Sequence, residues 1–233
     1  MDLSLTEEQI MIQDMAKKFA ESELAPVAAQ LDETMDQKLF LANLAQLTEL
    51  GFMGLNIKAE YGGVEAGSVA FSLAITELAR ACASTAVTTS VTNMVAEVIQ
   101  AVGNEEQKQK HLPKLCSGEY RAGGFCLTEA TAGSDPAGMK TQAVKDGDDY
   151  LISGSKLYIT SASFADVFVV WAKLDGVIRG FILDKGMEGL SAPKIEGKFS
   201  LRASITGEIV TDNVFVPSEN MLPNAKGLSG PSG

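Results

Sequence analysis

The stretch "FCLTEATAGSD", residues 125–135, lies where the character of the chain changes. Three apolar residues, Phe125-Cys126-Leu127, run straight into Thr128, Glu129, Thr131, Gly133, Ser134 and Asp135. On its own the string reads in two ways. One is a polar surface turn; the other is a strand end that opens onto a shelf of backbone amides and hydroxyls able to hold a ligand. The flanking sequence has to decide between them.

Upstream, the apolar residues recur at helical spacing. Thr6 is placed to cap a helix, with Glu7 and Glu8 in its first turn and Gln9 at the capping-box position. Pro26 should bend or break that helix. Leu39, Leu41, Leu44, Leu47 and Leu50 mark a second helix, ended by Gly51. "KAEYGGVEAGS" (58–68) reads as a loop, and 69–82 and 86–102 as further helices. "NEEQKQKHLPKL" (104–115) reads as a short exposed helix capped by Asn104, with Pro113 near its end.

Downstream of about Gly118, short strands alternate with turns. Strands are expected at 123–127, 141–145, 150–153, 157–160, 167–172, 178–183 and 208–210, with "KDGDD", "LDG" and "DKG" as turns between them. The expected fold class is α+β: an all-α domain over 1–118, then a small antiparallel β-sandwich or barrel over 119–233.

Composition narrows the function. The chain has 233 residues, 45% hydrophobic and 21% charged, enough for a sizeable core. A net charge of −11 argues against a nucleic-acid or anionic-membrane surface. No apolar run is long enough for a membrane span. The acidic N-terminus, "MDLSLTEEQI", has neither signal-peptide nor transit-peptide character, so a cytoplasmic setting is expected, or the mitochondrial matrix if the chain is processed. Cys82, Cys116 and Cys126 lack C-x-x-C spacing, which fits reduced thiols and, with one histidine, argues against a metal site. A Cys116–His111 nucleophile pair is the alternative; the charged run around His111 favours a solvated ring. Neither the dinucleotide glycine fingerprint nor the P-loop string occurs.

Six strings stand in an order that resembles the acyl-CoA dehydrogenase flavoproteins: "LTEEQ" (5–9), "GFMGLNIKAEYGG" (51–63), "GNEEQKQKHLPKLCSGE" (103–119), "FCLTEATAGSD", "GSKLYITSAS" (154–163) and "DNVFVPSENMLP" (212–223). The resemblance covers essentially the whole chain. Residues 178–210 look most like the glutaryl-CoA branch, and the N-terminal part more like short- and medium-chain members. The resemblance implies FAD as cofactor, with Phe125, Cys126, Leu127, Thr128, Gly133 and Ser134 on one side of the flavin and Tyr158, Ile159 and Thr160 on the other. It implies an acyl-CoA substrate touched by Ser134 and lined by Val87, Ser90 and Met94. It implies α,β-dehydrogenation of the thioester, in fatty acid or amino acid catabolism, with electrons passed to an electron-transfer flavoprotein.

The chemistry of the opening string agrees. A strand end offers in-plane donors and acceptors to the polar edge of an isoalloxazine, Gly133 allows close backbone approach, and Ser134 can reach a diphosphate oxygen. On a strand, Tyr158 and Thr160 share one face. The same residues also fit bland readings: a β-turn, a half-buried strand, and a core stripe on the helix.

Four departures stand out. Tyr158 replaces the Trp usual in the family, and Lys58 replaces a Pro. Thr85-Ala86 stand where the glutaryl branch carries an Arg-Ser pair whose Arg reads the distal carboxylate. The chain stops before the helical domain that supplies the family's catalytic glutamate, so no catalytic residue is assigned, and Glu129 is read as structural. The ending "SGPSG" (229–233), with Ser232 where the glutaryl branch has Phe, is native or an added tail. The expected function is thus an FAD-dependent acyl-CoA dehydrogenase lacking its C-terminal catalytic domain. The alternatives are a non-catalytic flavin or acyl-CoA-binding fragment, and a split subunit, in a homo-oligomer or with a partner chain that completes the site.

Overall fold

The computed structural model describes residues 4–227; the "SGPSG" ending lies outside them. The helices come first. Helix α1 (Glu7–Phe19) opens on the capping box: Gln9 N donates to Thr6 Oγ1 at 3.2 Å, and Thr6 N donates to Gln9 Oε1 at 3.0 Å. Pro26 neither stops nor sharply breaks the chain. A π-helical turn at Ala20–Leu24 leads into α2 (Ala25–Thr34), whose first turn holds the proline. Widening the hydrogen-bond ring accommodates a residue that has no N–H to give and a ring that clashes with the preceding turn. Helix α3 (Gln37–Glu49) ends at Gly51, which adopts φ 81°; α4 is Gly67–Ala81 and α5 is Ala83–Val102.

Helix α6 (Glu105–Ser117) has the expected Asn104–Gln107 capping box, but it is not simply exposed. Gln107, His111, Leu112, Leu115 and Cys116 are all buried on its inner face. A run of charges shows that a helix has a wet face; it does not show which residues lie opposite. His111 is only 1% exposed, which corrects the reading of it as solvated.

Among the described residues, seven strands form one sheet: β1 (Gly123–Cys126), β2 (Gln142–Asp146), β3 (Asp149–Thr160), β4 (Val167–Leu174), β5 (Val177–Asp184), β6 (Leu190–Ser191) and β7 (Thr206–Val216). The order of helices before strands is as expected, but the sheet is mixed and its described strands do not close into a barrel. Strand β4 pairs antiparallel with β5. It also pairs parallel with β1 along its first half (Gly123↔Val167 to Cys126↔Val170) and with β2 at its end. The two stubs are short enough to share one partner strand, and strand spacing in a sequence carries no signal for that pairing. The segments 150–153 and 157–160 belong to one long strand, β3, which has register shifts at Ile152/Gly154 and Lys156/Ile159. In the "LDG" turn, Asp175 and Gly176 both take positive φ between paired Leu174 and Val177, as a two-residue hairpin requires.

The helical layer meets the sheet where α5 crosses β1. A Cβ on Gly123 would lie 2.7 Å from Val95 Cγ1, so only glycine lets the helix pack this closely. Other ties are polar. Arg202 Nε and Nη2 donate to Asp32 Oδ2 at 2.8 and 2.6 Å, and Gln107 Nε2 donates to the carbonyls of Glu219 and Met221 at 2.7 and 2.9 Å.

Candidate functional site

The site is assembled from the loop after β1 and the bulge in β3. Cys126 is fully buried and its side chain belongs to the core; burial pushes its thiol pKa up, so only its backbone is available to a ligand. Phe125 is half-buried, with its ring edge-on to Trp171 at 6.2 Å. Leu127 and Thr128 are half-buried and use their carbonyls to hold β3. Lys156 Nζ donates to Leu127 O at 3.1 Å, and Leu157 N donates to Thr128 O at 2.8 Å.

Glu129 faces inward and is 7% exposed. It accepts from Lys156 Nζ (2.8 Å), Thr141 Oγ1 (2.6 Å), Thr141 N (3.0 Å) and Lys140 N (2.6 Å). Burial alone would raise its pKa, but these four donors outweigh that and hold it at about 2. Burial likewise pulls the Lys156 ammonium down, against the opposing pull of Glu129. A carboxylate so fully engaged is a structural group. Gly154 contributes to the same knot: a Cβ there would lie 2.7 Å from Thr141 Cα. Lys156 was missed on the sequence, although a signal existed. Strict alternation from Tyr150 and Ile152 places Lys156 on the inward face, where a lysine requires a carboxylate partner.

Beyond Glu129 the loop turns outward. Thr131, Gly133, Ser134 and Asp135 are exposed. Among the described residues, the amides of Gly133 and Ser134 donate no hydrogen bond. A Cβ on Gly133 would meet nothing within 4 Å, so the chain's own packing does not require glycine there.

Opposite this loop, β3 carries one extra residue between Lys156 and Ile159. Tyr158 sits in the bulge at φ 59° and is 67% exposed, while Ile159 is buried and Thr160 half-buried. Positive φ is a genuine outlier for an aromatic residue, and bulges cluster beside functional sites. Because of the bulge, simple strand alternation does not describe the relation between Tyr158 and Thr160.

On α5 the half-buried residues Val87, Ser90, Val91, Met94, Glu97 and Val98 follow one another at helical spacing. Met94, Glu97, Val98 and Phe125 share the wall of a cavity of about 580 Å³ with Asn56 and Gln100, so this cavity reaches the end of β1. Asn56 Nδ2 donates to Glu97 Oε1 at 2.7 Å. Thr85 and Ala86 lie off this stripe, 0% and 2% exposed, and the Thr85 hydroxyl donates to Cys82 Sγ. Lys58 is exposed and lines the cavity mouth, near Glu60. His111 Nδ1 lies 3.4 Å from Tyr120 Oη, and burial pushes its pKa down to about 4. Burial pushes the Cys116 thiol up to about 11, which leaves no activated nucleophile there.

Residues 6–119 match the model of the acyl-CoA dehydrogenase N-terminal domain, and residues 124–214 match that of the middle domain. The chain belongs to the acyl-CoA dehydrogenase family. The chain is 40% identical over 228 residues to the short-chain-specific acyl-CoA dehydrogenase of Clostridium acetobutylicum, covering 95% of this chain and 59% of that protein. Glutaryl-CoA dehydrogenase from Mycobacterium smegmatis is similar in structure, with 38% identity and a TM-score of 0.92 over 98% of this chain and 58% of that one. A second structure of that enzyme, in complex with FADH2, gives 36% and 0.92, over 97% and 58%. Butyryl-CoA dehydrogenase from Megasphaera elsdenii gives 37% and 0.87, over 95% and 60%. Short-chain and glutaryl-CoA relatives both occur among these matches, each over nearly the whole chain. The chain spans less than two thirds of the length of each. Among its described residues, no helix is long and apolar enough to cross a membrane.

Proposed function

We propose that this chain binds FAD and serves the α,β-dehydrogenation of an acyl-CoA thioester, with an electron-transfer flavoprotein as electron acceptor. We place the division between its helical and flavin-binding units at residue 118. The observation that carries the reading is the pairing of an exposed tyrosine at positive φ with a loop whose glycine and two adjacent amides meet no partner among the described residues. Strain of this kind costs about 1–3 kcal/mol and persists where function requires it.

The residues fit a flavin. The backbone of Phe125, Cys126, Leu127 and Thr128 would hold the polar edge of the ring system, and the exposed Tyr158 ring would offer it an aromatic surface. Ile159 is buried and holds the strand to the core, and the half-buried Thr160 would offer its hydroxyl to the flavin. Gly133 and Ser134 turn two adjacent amides toward a phosphate. Bound FAD supplies the hydride acceptor. The stripe Val87, Ser90, Met94 excludes water from the acyl tail, and Ser134 orients the thioester end.

A second reading, a flavin or acyl-CoA-binding unit without turnover, is favoured by one observation. Glu129, the carboxylate of the flavin motif, already accepts four hydrogen bonds and cannot also take the α-proton of a substrate.

Two measurements test these readings. The purified chain should show the visible spectrum of bound flavin, or acquire it on titration with FAD; no binding at about 100 μM FAD would refute the cofactor assignment. Loaded with FAD under anaerobic conditions, residues 1–233 should be bleached only slowly by butyryl-CoA, because Glu129 is already engaged and the want of a general base commonly costs on the order of 10²–10⁴ in rate. Rapid bleaching would show a base within these residues.

A further inference from the structure

A single buried ion pair joins the two halves of the proposed flavin seat. Lys156 is 1% exposed and its partner Glu129 7%, with 2.8 Å between Nζ and Oε1. Stability alone does not call for such a pair, because apolar residues of similar volume often serve equally well or better. Its position is more telling. Lys156 is the last residue of β3 in register with β7 before the bulge that carries Tyr158. From there its ammonium reaches the Leu127 carbonyl and the Glu129 carboxylate, and the next residue donates its amide to the Thr128 carbonyl. Three consecutive residues of the loop are therefore held by two consecutive residues of the strand. Glu129 in turn fixes the return of the loop through the amides of Lys140 and Thr141.

We propose that Lys156 is a positioning residue for the flavin: paired with Glu129, it sets the Leu127–Thr128 backbone against Tyr158 and Thr160 at the spacing the ring system needs. The proposal rests on the FAD reading above. A rotation of the Leu127 or Thr128 peptide would break its carbonyl's bond to β3 and turn the adjoining amide away from the flavin edge. Loss of the ammonium would release the Leu127 carbonyl and remove one of the four donors that fix Glu129.

The test compares Lys156→Met with the double variant Glu129→Gln/Lys156→Met. Three quantities are read: FAD affinity, the visible circular dichroism of bound flavin, and the melting temperature of the FAD-free chain. Lys156→Met strands a buried carboxylate and should lower the melting temperature. The double variant holds no unpaired charge and should melt near the wild type. Both should bind FAD at least about tenfold more weakly, equivalent to 1.4 kcal/mol, and with an altered flavin dichroism. If Lys156→Met fails to fold, the double variant decides. A double variant with wild-type melting, affinity and dichroism would overturn the positioning role and leave the FAD reading intact. A wild-type chain that binds no FAD would overturn both.

Discussion

His111 sets the chain's stability against acid. Its ring is buried on the inner face of α6 beside Tyr120, with Asp184 the nearby acid and Lys110 and Lys114 the nearby bases. Desolvation is the leading cause of its lowered pKa, and the two lysines add to it against the pull of Asp184. Its folded-state pKa of about 4 lies below the ordinary 6.5. Between those values the unfolded chain binds a proton that the folded chain refuses. The stabilisation is therefore complete above pH 6.5 and is lost as pH falls through 4. At 1.36 kcal/mol per pH unit, the loss amounts to about 3 kcal/mol, a large share of a typical domain's stability. Glu129 contributes in a lower window. Its depressed pKa gives stability that is present above pH 4.5 and lost as pH falls through about 2. The assay is urea unfolding of the FAD-free chain at half-unit steps from pH 7.5 to 4, with His111→Leu alongside. The wild-type curve should fall relative to the variant's by about 3 kcal/mol across that range. Parallel curves would show that His111 titrates normally in the folded state.

The other expectations concern the site. Tyr158→Gly should raise the stability of the FAD-free chain by about 1 kcal/mol, because glycine adopts positive φ without strain, while FAD binding weakens about tenfold. Unchanged affinity in that variant would remove Tyr158 from the flavin site. In the cleft, the half-buried Glu97 should repel a second carboxylate, and Lys58 in the same lining is exposed and already faces Glu60, so butyryl-CoA should bind better than glutaryl-CoA, since a buried carboxylate without a partner costs several kcal/mol. Glu97→Gln should narrow the gap in dissociation constants, and a glutaryl preference in the wild type would refute the assignment. Thr85→Arg should destabilise the chain instead of admitting glutaryl-CoA, because Thr85 is wholly buried.

What the sequence discloses follows from the range of the interactions that encode it. Caps, turns and helical stripes are written within a few neighbouring residues, so the Thr6 and Asn104 capping boxes, the Asp175-Gly176 turn and the α5 stripe can be read directly. Pairing between distant segments cannot. The parallel seating of β1 and β2 on β4, and the burial of His111 beneath a charged run, depend on what lies opposite each element. Tyr158 shows the limit most clearly. The resemblance implies an aromatic beside a flavin there, but alternation alone would place it as an ordinary strand residue, and its positive φ arises from one extra residue opposite β7. The bulge is held at its base by Lys156, whose partner Glu129 lies on the opening motif itself. The two strings that resemble the family most closely, "LTEATAGSD" and "GSKLYIT", are thus physically one object. Each supplies half of a buried ion pair, and neither half could remain buried without the other. That mutual dependence is a reason for both strings to occur together in one chain, in addition to any contact that either makes with a ligand.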